Sequence, residues 1–349
     1  MHLRLPILLG VLTASFASIE AADACTAFLA QTADGPILAK SFDWSTGEGW
    51  LVVNERGRQR SLLAPSGAPS DTWVSRYASL TVTTVGPGFP VSGMNEEGLT
   101  IEALVDFSVR PTLAPARGHL TGLEFIQYGL DHFRTVEELK PFALSASITQ
   151  VGVPLHFFAC DRTGSCAVIE TQDGKTAVTS GALLEARALA NAPYVRDLEV
   201  LHPSLAARLL GLGSPAPQSS AARFKIAAQS TPRDENEALM ALEKVANPQM
   251  TRWQIVWNLG HGSLQLKQHA TKRETLTEQL LPLAGPCQQA PLVRPLSQTR
   301  GEFRRWTPAD SALAEAAIRA QLGPGSEQAS TVAQRVAEAT GSSTCAASE

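Results

Sequence analysis

The sequence predicts an α+β layered fold, on three observations. Segments that alternate apolar and polar residues at the strand period cluster in runs. Segments of helical period form separate runs, and neighbouring strand segments are joined by short antiparallel turns, not by the helical crossovers of a βα repeat. The order along the chain is β-rich, α, β, α, β, α.

Each run has its own local signal. Residues 26–43 read as two strands around the turn Ala33-Asp34-Gly35-Pro36, with Phe28, Ala30, Ile37 and Ala39 alternating against polar neighbours. Further strands are expected at 50–54, 80–85 and 99–105, the last entered through the turn Asn95-Glu96-Glu97-Gly98. Helical spacing fills 123–133 and resumes after Thr135, where Thr135 and Glu138 have the spacing of a capping box. A hairpin at 155–160 and 166–171 and a strand at 176–180 follow. Helices are then expected at 194–201, 205–210, 223–228 and 236–246, before a hairpin at 251–259 and 263–268 that turns at Gly260-His261-Gly262. Residues 281–297, rich in Pro and Gln, are expected to wrap the surface, and 309–322 to form an amphipathic closing helix. The end, 340–349, is expected to fray unless Cys345 is bonded.

Composition excludes several classes of function. The chain has 349 residues, is 44% hydrophobic and carries a net charge of −4, with no basic run interleaved with aromatics, so a nucleic-acid partner is not expected. The seven histidines show no metal-ligand spacing: His261 and His269 are eight apart around a hairpin turn, and no Cys-x-x-Cys occurs, so no metal is expected. No glycine-rich phosphate loop follows a strand, and no cofactor is called for.

The first 24 residues carry Arg4, an apolar stretch over 5–17 and the small-residue ending Ala22-Asp23-Ala24, which together read as a cleavable signal peptide and place the mature chain in a periplasm or outside the cell. The apolar stretch is too short to span a bilayer. Cleavage after Ala24 would leave Cys25 first, with a thiol and a free α-amine on one residue. A Cys thiol titrates near 8.5 and an α-amine near 7.7–8.0, so the internal proton transfer costs only about 1 kcal/mol. Such a nucleophile carries its own base. Two blander roles compete: a lipidation site, which the Asp23 just before the cut disfavours, and a structural cysteine. The other four cysteines can pair without it, Cys160 with Cys166 across the turn 161–165, and Cys287 with Cys345 to tie down the tail, although spacing alone does not decide connectivity.

The segment CTAFLAQTADGPILAKSFDW closely resembles the N-terminal signature of the choloylglycine hydrolase family, which includes bile salt hydrolases and penicillin V acylases. The likeness continues in order through MNEEGLTIEAL, LHFFACDRTGSCAVIE, LANAPY and SSAARF, and fades after about residue 268. It implies a four-layer αββα sandwich of the N-terminal-nucleophile (Ntn) hydrolases, formed as a single domain over 25–349 with a C-terminal extension from about residue 281. By the same resemblance Cys25 is the nucleophile, Asp43 the carboxylate beside its amine, Asn191 and the Val105 backbone N–H the oxyanion hole, and Arg223 a fixed cation near the thiol. Without the resemblance, Asp43 reads as a strand-end cap, Asn191 as a turn residue and Arg223 as a helix-face arginine; Asn95 is read as a turn residue in either case. Two positions depart from the family pattern. Lys40 stands where an arginine is usual, keeping the charge and losing the planar fork. Val105 stands where bile salt hydrolases have Asn and many penicillin V acylases Tyr, which bears on substrate choice.

The implied substrate is a small N-acyl amide of the penicillin V or N-acyl homoserine lactone type, with conjugated bile salts as the alternative. Trp44, Phe89 and Phe107 are candidate walls of an apolar acyl pocket, and a homotetramer is implied as a possible assembly. A histidine-activated cysteine protease and a lipid-anchored acyl-binding protein are the readings from other classes. The first lacks its signature around Cys25, and the second requires a lipid on that residue.

Overall fold

A computed structural model describes residues 25–63, 70–110, 112, 116–172, 175–205, 215–269, 275–298, 300–322 and 327–346. The proposed signal segment and residues 206–210 of the helix expected at 205–210 lie outside the described residues. No helix among the described residues is long and apolar enough to cross a membrane.

Strands β1 (Thr26–Thr32) and β2 (Gly35–Asp43) form the expected N-terminal hairpin. They sit inside a six-stranded antiparallel sheet with β14 (Ala188–Leu189), β15 (Thr251–Asn258), β16 (Ser263–Gln268) and β17 (Leu276–Gln279), in the order β14-β1-β2-β15-β16-β17. A nine-stranded sheet runs β13 (Lys175–Ser180), β12 (Cys166–Gln172), β11 (Leu155–Cys160), β8 (Thr100–Val105), β7 (Ser92–Asn95), β6 (Ser79–Thr83), β3 (Trp50–Asn54), β18 (Leu292–Pro295), β19 (Arg304–Arg305). Smaller pairings join β4 (Arg58–Ser61) to β5 (Thr72–Val74) and β20 (Thr344–Cys345), and β9 (Leu120–Thr121) to β10 (Ile148–Thr149).

Strand alternation divides the core. Leu104 and Phe158 of the large sheet point into one apolar cluster with Leu38 and Trp257 of the smaller sheet, so the two sheets face each other. Their strand neighbours Ile101, Ala103, Phe157 and Ala159 point the other way, onto α1 (Gly122–His132) and α2 (Val136–Ser145). The outer face of the smaller sheet is covered by α4 (Ser220–Ala228) and α5 (Glu235–Val245), while α3 (Tyr194–Glu199) contacts α4. This is the αββα sandwich.

Local signals behave as chemistry dictates, with one exchange. Thr135 accepts from the Glu138 backbone N–H, but the Glu138 carboxylate takes the Arg134 N–H instead of completing a box. The reciprocal capping box forms one helix earlier, between Thr121 and Glu124. Cys160 and Cys166 lie directly opposite each other in the β11–β12 ladder and are bonded. Gly164, at φ 80°, supplies the left-handed residue of their turn.

The C-terminal region differs from its surface-wrapping expectation. Residues 292–295 insert as β18 against β3, where Val293 is fully buried. Helix α6 (Pro308–Leu322) forms as expected, and a second helix, α7 (Glu327–Gly341), packs against it. Cys345 is bonded to Cys287, 58 residues earlier, and β20 pairs with β4, so the end is tied down through residue 346. Cross-linking a loop of that length restricts the unfolded chain, and Cys345→Ser is expected to cost about 4 kcal/mol of stability. Denaturant unfolding of both forms checks this, and equal midpoints count against it.

Candidate active site

Cys25 immediately precedes β1, is buried, and is the free cysteine among the five. The other residues named for the site come from distant parts of the chain, and the sheets bring them to it. The β1–β14 register pairs Ala27 with Leu189, and continuing it two residues places Asn191 opposite Cys25. Asp43 ends β2, and the Cys25 thiol lies 4.0 Å from its backbone oxygen.

The Asp43 carboxylate is held on one side and open on the other. Ser41 Oγ and Thr251 Oγ1 donate to its Oδ1 at 2.8 and 2.6 Å. Its Oδ2 is buried without a hydrogen-bond partner, with Arg223 Nη1 at 3.7 Å. Burial raises the Asp43 pKa, opposed by Thr251, Ser41 and Arg223. Arg223 projects from α4 and is itself buried; desolvation lowers its pKa, while Asp43, Cys25 and Asp197 oppose the shift. The Asp43 Oδ2 thus faces the Arg223 guanidinium at ion-pair distance and keeps its hydrogen-bond acceptor capacity unused.

Asn191 Nδ2 donates to the Val105 carbonyl at 2.6 Å, leaving its second N–H uncommitted by that bond. Asp106 N–H bonds Pro154 O across the β8–β11 ladder, so alternation turns Val105's own N–H and C=O to the other edge, where β7 begins only at Ser92. Val105 N–H and Asn191 Nδ2 therefore share that edge. The Asn191 turn is secured from behind. Its N–H donates to Ser220 Oγ at 2.8 Å, Ala190 N–H donates to Asp197 Oδ2 at 3.3 Å, and His156 Nε2 donates to Ala190 O at 2.8 Å, since a carbonyl only accepts. Burial pushes Asp197 up to about 7, against the pull of His156.

Lys40 is fully buried, 3.1 Å from Glu102 Oε2, and donates to Val91 O at 2.7 Å. It spans the two sheets, with the rings of Phe42 and Trp253 each 5.8 Å from its Nζ. Glu102, whose pKa burial raises, also accepts from Ser92 and Trp257. Glu102 and Thr251 are not among the site residues that the family motifs point to. A charged residue in the middle of the apolar strand TIEALV was a usable signal for Glu102, but nothing local marks Thr251, which reaches Asp43 across 208 residues.

The Cys25 thiol opens on an apolar cavity of about 120 Å³. Trp44 and Phe89 line it together with Phe42, Val85, Val105 and Leu155. Phe107 does not: the Asp106 carboxylate accepts from Ser108 N–H and Oγ, turning the chain outward and leaving Phe107 49% exposed. Burial pushes the Cys25 thiol up to about 11, partly offset by Lys40, in a chain whose Cys25 nitrogen is still a peptide amide. Asn95 serves its turn, with its side chain bonded to Leu130 O, Phe133 O and the N–H groups of Glu97 and Leu99. Asp106, His156 and Glu170, which sequence spacing does not bring together, place one ligand-type atom each within 4.8 Å of one another behind the Asn191 turn. There Glu170 also accepts from Tyr194 N–H at 2.8 Å.

No curated protein matches this chain. Among solved structures, it is similar to a penicillin V acylase from Agrobacterium tumefaciens, with a TM-score of 0.64 and 23% identity over 81% of this chain and 98% of that one. It is also similar to a mutant conjugated bile acid hydrolase from Clostridium perfringens, with a TM-score of 0.59 and 17% identity over 81% of this chain and 96% of that one. These similarities concern the fold. The model for linear amide C–N hydrolases of the choloylglycine hydrolase family matches residues 25–197, starting at the free cysteine and ending just beyond the Asn191 turn. The chain is a member of the choloylglycine hydrolase family, an enzyme that hydrolyses carbon–nitrogen bonds of linear amides other than peptide bonds.

Proposed function

We propose that the protein is exported, loses residues 1–24, and acts as an N-terminal-cysteine amidase on small N-acyl compounds with penicillin V-like or N-acyl homoserine lactone-like acyl groups. The observation that carries this is the free thiol of Cys25 on an apolar cavity beside a buried Asp43 oxygen with no donor. Release of the α-amine would add an ammonium to the residue whose thiol lies 4.0 Å from the Asp43 backbone oxygen, and the free Oδ2 is an acceptor for it.

The amine takes the thiol proton, and the thiolate attacks the substrate carbonyl. Asn191 Nδ2 and Val105 N–H stabilise the resulting oxyanion. The C–N bond breaks as the α-ammonium protonates the leaving amine, giving a thioester. Water then attacks the thioester carbonyl, its proton passing to the α-amine, and the acid and free thiol are restored. Arg223 and Lys40 favour the thiolate by charge, and Asp43 holds the ammonium in place.

The thiol's pH dependence tests the role of cleavage. With a thiol at about 11, the fraction ionised below that pH falls tenfold per pH unit, so iodoacetamide is expected to label the full-length chain slowly at neutral pH and faster as pH rises. The cleaved chain gains a cation near Cys25, which lowers the thiol pKa, so its labelling at neutral pH is expected to be at least about tenfold faster. Equal rates for the two forms would refute the self-activated nucleophile. Intact-mass spectra report both the unmodified Cys25 terminus and, after a substrate pulse, the acyl adduct.

A further inference from the structure

The cavity beside Cys25 is not closed by the family-matched region alone. That match ends at residue 197, whereas Ile318 of α6 and Val332 and Val336 of α7 also line the cavity. Val332 and Val336 are four apart on one helix face. Ile318 and Val336, with Ala333, form one buried cluster with Leu63, Val85 and Phe89, so this wall is packed core and not a loose flap.

The wall is anchored at several points. The Cys287–Cys345 bond closes a loop that contains both helices. Thr340 Oγ1 donates to Pro87 O at 3.2 Å, and Trp50 Nε1 donates to Asp310 Oδ1 at 3.3 Å. Strand β20 pairs with β4.

The lining also has a definite chemistry. Among the described residues no charged side chain faces the cavity, and the only hydroxyls are those of Thr84 and Thr121, the latter engaged as the α1 cap. A carboxylate or amine on the acyl group would be buried there unpaired. Apolar cavities of roughly 150 Å³ accept benzene, so a space of about 120 Å³ suits one aromatic ring or a short alkyl chain and not the four fused rings of a bile acid.

We infer that the C-terminal helix pair is the specificity wall of this enzyme, with Ile318, Val332 and Val336 limiting it to amides of uncharged, apolar acyl groups of about one ring or a short alkyl chain. This rests on the proposed acyl transfer to Cys25. The three side chains bound the space that the acyl group fills, and their bulk decides how many carbons are accepted.

The test measures kcat/KM of the cleaved protein on butanoyl, hexanoyl, octanoyl and decanoyl p-nitroanilides and on succinyl p-nitroanilide, for wild type, Ile318→Ala, Val336→Ala and Val332→Phe. A ratio of kcat/KM values within one preparation does not depend on how much of each variant folds. The decanoyl-to-hexanoyl ratio is expected to rise about tenfold or more in the two alanine variants and to fall by a similar factor in Val332→Phe, with succinyl anilide a poor substrate throughout. Unchanged ratios in all three variants, or succinyl turnover matching butanoyl in the wild type, would overturn the inference while leaving acyl transfer at Cys25 intact. Absence of any acyl adduct on wild-type Cys25 would instead overturn the proposed function, and this inference with it.

Discussion

Cys25→Ala is expected to lower kcat on a hexanoyl anilide by a factor on the order of 10⁴ to 10⁶, the range seen when a covalent nucleophile is removed from an enzyme that works through one. The size of the effect follows from what else faces the cavity. Among the described lining residues, Cys25 apart, the only hydroxyls are those of Thr84 and Thr121, and the Thr121 hydroxyl is engaged as the cap of α1 beside Glu124. The fold should survive, because alanine removes a single buried sulfur from a cluster dominated by Leu, Val, Phe and Trp. Steady-state turnover with circular dichroism checks both halves. Activity within tenfold of wild type in a folded variant would remove Cys25 from the mechanism.

Asn191→Ala is expected to lower kcat about 10²- to 10³-fold, or about 2.7–4 kcal/mol of transition-state stabilisation, with KM changing far less. The split follows from charge: the amide N–H acts on an oxygen that becomes negative only after attack, so the substrate's carbonyl gains little from it beforehand. The same side chain donates to Val105 O, so the variant also loses one buried hydrogen bond, costing about 1 kcal/mol of stability. Thermal unfolding measures that smaller loss separately. A variant whose KM rises while kcat holds would show that Asn191 binds substrate instead of stabilising the oxyanion.

The buried pair Lys40–Glu102 explains how the chain accommodates lysine where its family resemblance implies arginine. A guanidinium could span both the Val91 carbonyl and a carboxylate through its fork; here a single ammonium reaches both, at 2.7 and 3.1 Å. The pair is neutral overall, and this limits how far Lys40 can offset the effect of burial on Cys25.

Much of this protein was determined by sequence at short range. The Gly35-Pro36 turn, the alternation around it, the opposed cysteines 160 and 166, and the helices near 123–133 and 236–246 depend on residues a few positions apart, whose local conformational preferences agree with the final fold. The family motifs likewise carried Asp43, Asn191 and Arg223 to the neighbourhood of Cys25. Only the tertiary structure decided the contacts that join distant segments. Thr251 reaches Asp43, Glu102 crosses to Lys40, β18 enters the large sheet beside β3, and α6 and α7 close the cavity that Phe107 turns away from. Such contacts depend on which faces the two sheets present to each other and on where the chain returns after a long excursion. Burial of apolar surface drives that return without direction, so periodicity reveals that a face will be covered but not by what.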